Sequence, residues 1–192
     1  NSIKNNNTLV IQDREKFLLE IIPVQVLPEL MTDYEESVLI TKELIRMLES
    51  SSIIALNNNY ESISLIFLNV YSEIGKRIIN KNGSGLNDII LSLKRIGTRS
   101  IQCGFFWAPN KTADIIGDLG EQHLSTFIDD KNPPKESLDR NELILALGEI
   151  GTFSATRQIA GPCRHCVKSL TKTVDFSLSN SEKDLYHKAI LT

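Results

Sequence analysis

Every strongly periodic stretch of this chain carries its apolar residues at the three-and-four spacing of an amphipathic helix. The Asn-rich opening, residues 1–12, is polar and is expected to fray. Asp13 predicts the N-cap of a short helix to Ile22, with Phe17, Leu18, Ile21 and Ile22 on one stripe, and Pro23 and Pro28 end it. Thr32 or Asp33 caps the next helix. Its first turn holds Glu35 and Glu36 at the positive end of the dipole, and Leu39, Ile40, Leu44, Ile45 and Leu48 form its apolar face. The run Asn57-Asn58-Asn59 predicts a polar loop.

From there the pattern repeats. Four segments, SEIGKRII, LKRIGTRSI, GDLGEQHL and GEIGTFSA, centre on Gly75, Gly97, Gly120 and Gly151. An apolar residue precedes each glycine directly (Ile74, Ile96, Leu119, Ile150). Others stand four before it (Tyr71, Leu93, Ile116, Leu147) and four after it (Ile79, Ile101, Leu124, Ala155). These offsets fall on one helical face, so each glycine sits inside a buried stripe. A mid-helix glycine costs roughly 1 kcal/mol relative to alanine, so four of them call for a reason. Close approach by a neighbouring helix supplies one; the alternative is that each glycine ends or bends its helix. Apolar residues continuing past each glycine favour the interior reading.

The glycines are 22, 23 and 31 residues apart, and the long interval holds the polar run from Asp129 to Lys135. Two units make roughly 45 residues, the length of a HEAT or armadillo repeat. With the L-G-E-I-G of Leu147–Gly151, the segment Leu65–Ala160 resembles HEAT-like helical repeats, although the prolines of many HEAT first helices are missing. The resemblance implies an all-α, right-handed α–α superhelix of about eight helices over residues 13–192, with its clearest repeats at 65–160. It implies a binding surface and no activity.

Composition fits a globular protein: 41% hydrophobic, 23% charged, and 10 glycines with 6 prolines. A net charge of -3 argues against non-specific grip on nucleic acid, although a local basic face with Arg99, Arg157, Arg164 and Lys168 remains an alternative. Three cysteines are too few and odd in number for a secreted disulfide framework, so a reducing, cytoplasmic setting is expected. The longest apolar stretch, Phe17–Met31, is broken by Glu20, Pro23, Gln25 and Pro28 and cannot span a bilayer. The chain begins at Asn1 without a methionine, leaving room for a removed flank that held a membrane span or another domain.

Cys163-Arg164-His165-Cys166 is the one cluster with chemical character. Gly161-Pro162 before it predicts a helix start, whose dipole would lower a thiol pKa. The motif suits a redox dithiol, but thioredoxin-like sites follow a β-strand and none is predicted here. As zinc ligands, Cys163, His165 and Cys166 lack a fourth partner unless Cys103 or His123 supplies it. The bland reading is two small, semi-buried thiols. No cofactor is expected. His123, three residues after Gly120, reads as a core-edge histidine, and His187 as solvated. No catalytic triad or P-loop spacing occurs.

Phe105-Phe106-Trp107 holds the only tryptophan, in the loop between two repeat helices. It is either an exposed anchor for a partner or a plug for the core. Residues 151–174 carry Arg157, Arg164, Lys168 and Lys172 with no acid, while Glu29–Glu49 is acid-rich. Such ends could pair in a homo-oligomer or meet a charged partner. These readings converge on a non-enzymatic helical-repeat module that binds another protein, alone or as the soluble part of a larger chain. A thiol or zinc protein is the alternative from another class.

Overall fold

A computed structural model describes residues 34–80, 84–129 and 138–179. The opening 1–12, the helix expected over Asp13–Ile22, the breaks at Pro23 and Pro28, the Thr32 or Asp33 cap, most of the polar run ending at Lys135, and His187 lie outside them. The chain divides into two compact units between Ile40 and Thr41. The described residues are all helix and connecting turn, with no strand among them. They form α1 (Tyr34–Asn57), α2 (Glu61–Asn80), α3 (Leu86–Gln102), α4 (Trp107–Asp129), α5 (Arg140–Thr156) and α6 (Ala160–Ser179). That is six helices where about eight are expected; the Asp13–Ile22 helix counted towards the eight is not among the described residues.

Within the unit that begins at Thr41, one turn is built three times. The residues Asn59, Gly104 and Gln158 are left-handed, with φ of 63°, 81° and 59°. Each donates its N–H three residues back, to Leu56, Ile101 and Ala155. The following residues, Tyr60, Phe105 and Ile159, donate five back, to Ala55, Ser100 and Ser154. This is a Schellman ending, which satisfies the last carbonyls of α1, α3 and α5 and reverses the chain at once. The turns therefore mark three helix pairs: α1–α2, α3–α4 and α5–α6. Within the last two pairs the helices pack more extensively than α2 on α3 or α4 on α5 across the longer connections.

The glycines keep step with the turns. Gly97 and Gly151 stand seven residues before Gly104 and Gln158, and the fully buried Ser52 holds the same place before Asn59. Gly75 and Gly120 stand sixteen residues after Asn59 and Gly104. All four glycines lie inside helices, so the alternative that they end them is overturned.

Close approach explains them. A Cβ on Gly75 would lie 2.6 Å from Cδ1 of Leu119, and one on Gly97 would lie 2.9 Å from Cδ1 of Ile150. Leu119 and Ile150 are themselves the apolar residues that precede Gly120 and Gly151. Thus the residue before one glycine fills the notch of the glycine two helices earlier, in α2–α4 and again in α3–α5. Polar contacts follow the same order. Glu49 on α1 accepts from Ser92 and Arg95 on α3 at 2.6 and 3.0 Å, and Ser169 on α6 donates to the Ala113 carbonyl on α4 at 3.1 Å. Helices one and three, two and four, three and five, and four and six are so joined.

The core is the predicted stripe. Tyr71, Leu93, Ile116 and Leu147 are each 0% exposed, and Ile74, Ile96, Leu119 and Ile150 at most 2%. Ile79, Ile101 and Leu124 are buried as expected. Ala155, at the equivalent place in α5, is exposed. Gly151, one turn before it, meets Cys166 of α6, and Ala155 lines a shallow cleft beside that contact.

Candidate functional site

The three turns lie at the same ends of their pairs and are tied together by side chains. Asn57 Oδ1 accepts from Arg99 Nε at 2.7 Å, joining the first turn to α3. Glu61, opening α2, accepts from the backbone N–H groups of both Trp107 and Ala108 at 2.7 Å each. A carboxylate there meets two orphan donors and the positive end of the α4 dipole. Nothing in the local sequence announces this cap, because its partners are 46 and 47 residues away. Asn110 on α4 packs against Gly161 near the start of α6.

On this fixed helix start the aromatic cluster divides. Phe105 is half-buried, while Phe106 and Trp107 are 58% and 68% exposed. The core-plug reading therefore fails for Phe106 and Trp107. The reason is geometric: the Schellman turn directs its second residue, here Phe105, back towards the preceding helix, and Phe106 and Trp107 fall beyond it.

The basic residues are spread over the third turn and α6. Arg157 places its guanidinium 5.4 Å from the Phe153 ring centre, a cation–π distance. Arg164 and Lys168 are exposed one helical turn apart, and neither has an ion-pair partner among the described residues. Lys172 differs: Asp118 and Glu121 on α4 bind it at 3.1 and 2.9 Å and raise its pKa. Arg99 is likewise engaged, by Asn57 and Gln102. Of the suggested basic residues, Arg99 is thus engaged, while Arg157, Arg164 and Lys168 stand exposed.

The C-x-x-C motif lies within α6, which begins at Ala160, two residues before Pro162. Cys166 is 1% exposed, and burial first, then the charges of Cys163 and Asp114, push its thiol up to about 12. The dipole effect expected at a helix start is outweighed by desolvation. His165 points elsewhere, its Nδ1 2.8 Å from Asp114 Oδ1 on α4. Among the described residues no three His, Cys, Asp or Glu side chains converge as a metal site. His123 is 5% exposed, its Nε2 accepting from Leu138 N at 3.4 Å, as a core-edge histidine would. No described helix is long and apolar enough to cross a membrane.

No family model, curated protein or solved structure matches the chain.

Proposed function

We propose that this chain is a non-enzymatic helical-repeat module, a HEAT-like solenoid in which the three helix pairs are the repeats, and that it binds a protein partner along the edge formed by its turns. The fold part of this reading is supported by the thrice-repeated Schellman turn and by the recurring glycine notch. The function rests on one observation: Phe106 and Trp107 are exposed on a helix start whose backbone Glu61 holds. Large aromatics carry a disproportionate share of binding energy, and a fixed backbone reduces the ordering cost of using them.

The test replaces Phe106 in cells with a photo-crosslinkable phenylalanine analogue, identifies the captured protein and reconstitutes the pair from purified components. Phe106→Ala with Trp107→Ala is expected to weaken that pair at least 10-fold with the melting temperature unchanged. A partner that binds the double variant as tightly as the parent would refute the assignment of this edge.

A further inference from the structure

The second feature that the fold leaves open is a shallow cleft of about 180 Å³ between α5 and α6. Small residues, Gly148, Gly151 and Ala155, form part of its α5 wall, and Cys163, Val167 and Leu170 part of its α6 wall. Val167 is 57% exposed. Earlier in the chain a glycine-bearing face of this kind is filled by the helix two places on, as Ile150 of α5 fills Gly97 of α3. On α5 no such helix is present among the described residues; there Cys166 of α6 meets Gly151 and the cleft lies beside that contact. The cleft is below the 300 Å³ or so at which small-molecule sites begin, which suits it to side chains of a docking helix better than to a metabolite.

Charge selects the occupant. Arg164 and Lys168 on α6 flank Val167 in sequence and lack ion-pair partners among the described residues, and Arg157 stands exposed at the turn end of the pair. The one lysine of α6 that meets acids, Lys172, takes both of them from α4. We infer that the α5–α6 cleft docks an acidic amphipathic helix of another protein, its aliphatic stripe entering between Ala155 and Val167 and its carboxylates meeting Arg164 and Lys168. This is helix-in-groove recognition, with apolar anchors at helical spacing and charge setting specificity. It stands apart from the Phe106–Trp107 edge.

The probe is a fluorescein-labelled 16-residue amphipathic peptide with leucines on one stripe and glutamates elsewhere, titrated into the full chain by anisotropy. Two controls accompany it: the same stripe with lysines for glutamates, and the acidic peptide scrambled. The acidic amphipathic peptide is expected to bind at least 10-fold tighter than either control, and to slow alkylation of Cys163 without slowing that of Cys103. Val167→Glu, at an exposed site, and Arg164→Glu with Lys168→Glu should each weaken it at least 10-fold. Phe106→Ala with Trp107→Ala should leave it unchanged, so loss of one surface is distinguishable from loss of the other. Equal binding of the scrambled or basic peptide overturns the inference. So does self-association of the chain that Val167→Glu abolishes, which makes the cleft a homomeric interface. Displacement of the bound peptide by a short RNA at equal concentration would overturn it in favour of nucleic acid.

Discussion

The middle helix pair, α3–α4, and the last pair, α5–α6, are built to one plan and end in different circumstances. Both reverse through the same turn, and both place a glycine seven residues before it. In the middle pair the glycine notch is filled: Ile150 and Thr112 press on Gly97. In the last pair the matching Gly151 meets only Cys166, with the nearest atom 3.3 Å from where a Cβ would stand, and the cleft opens beside it. The same small residue thus admits the helix two places on in one pair and only the adjacent helix in the other, where a cleft remains beside the contact. What decides is the presence of a helix two places on, which no local pattern records.

Volume gives the strongest way to break this comparison. Gly97→Leu and Gly120→Leu force a side chain into Ile150 and Leu143 respectively, and each is expected to destabilise by about 3 kcal/mol through overpacking. Gly151→Leu must shift Cys166 slightly but has the cleft beside it, and a better helix former replaces glycine, so a smaller loss of about 1 kcal/mol is expected. Denaturant melts of the three variants decide. Equal losses at Gly97 and Gly151 would mean that the last pair is as closely covered as the middle one.

Charge tests the seam between the two pairs. His123, near the end of α4, takes the N–H of Leu138 just before α5 begins. Burial first, and the charge of Arg140 second, lower its pKa from 6.5 to about 4. Between those values the unfolded chain binds a proton that the folded chain refuses. Stability is therefore full above pH 6.5 and falls as the pH drops towards 4, by about 2 to 3 kcal/mol from this group. His123→Gln should remove that component and flatten the stability curve in this window. An unchanged slope would show that the seam admits the charged imidazole.

How much of this was legible in the sequence follows from the same distinction between local and distant causes. The stripe residues at minus four, minus one and plus four from each glycine were readable because helical period alone puts them on one face. Ala155 broke the pattern because its burial needs a further helix, and period cannot supply one. The sequence also suggested single helices as units, whereas the pairs emerge from turns whose left-handed residues are Asn, Gly and Gln, too dissimilar to align by eye. The aromatic cluster and the basic residues of α6 were nameable as candidates. Which aromatics face solvent followed from the turn that sends Phe105 back towards α3. The helix start that carries Trp107 is held by Glu61, 46 residues before it, and Lys172 dropped out through Asp118 and Glu121 on α4. The lowered thiol pKa failed at Cys166 because its burial is a tertiary fact.

The smallest expected effect sharpens the comparison at the turns themselves. Gly104 adopts φ of 81° at no steric cost, whereas Gln158 holds φ of 59° with a Cβ in place. Left-handed backbone costs a non-glycine residue roughly 1 kcal/mol or slightly more, and glycine gives part of that back through its larger unfolded-state entropy. Gln158 is exposed, and its backbone N–H to Ala155 would survive the change. Gln158→Gly should therefore stabilise the chain by about 0.5–1 kcal/mol, while Gly104→Gln should cost a similar amount. Reciprocal shifts in melting temperature would establish that the turns of the two pairs are one structure with different residues. If Gln158→Gly destabilises instead, the side chain of Gln158 contributes a contact that the Gly104 turn does without, and the two pairs differ at the turn as well as at the cleft.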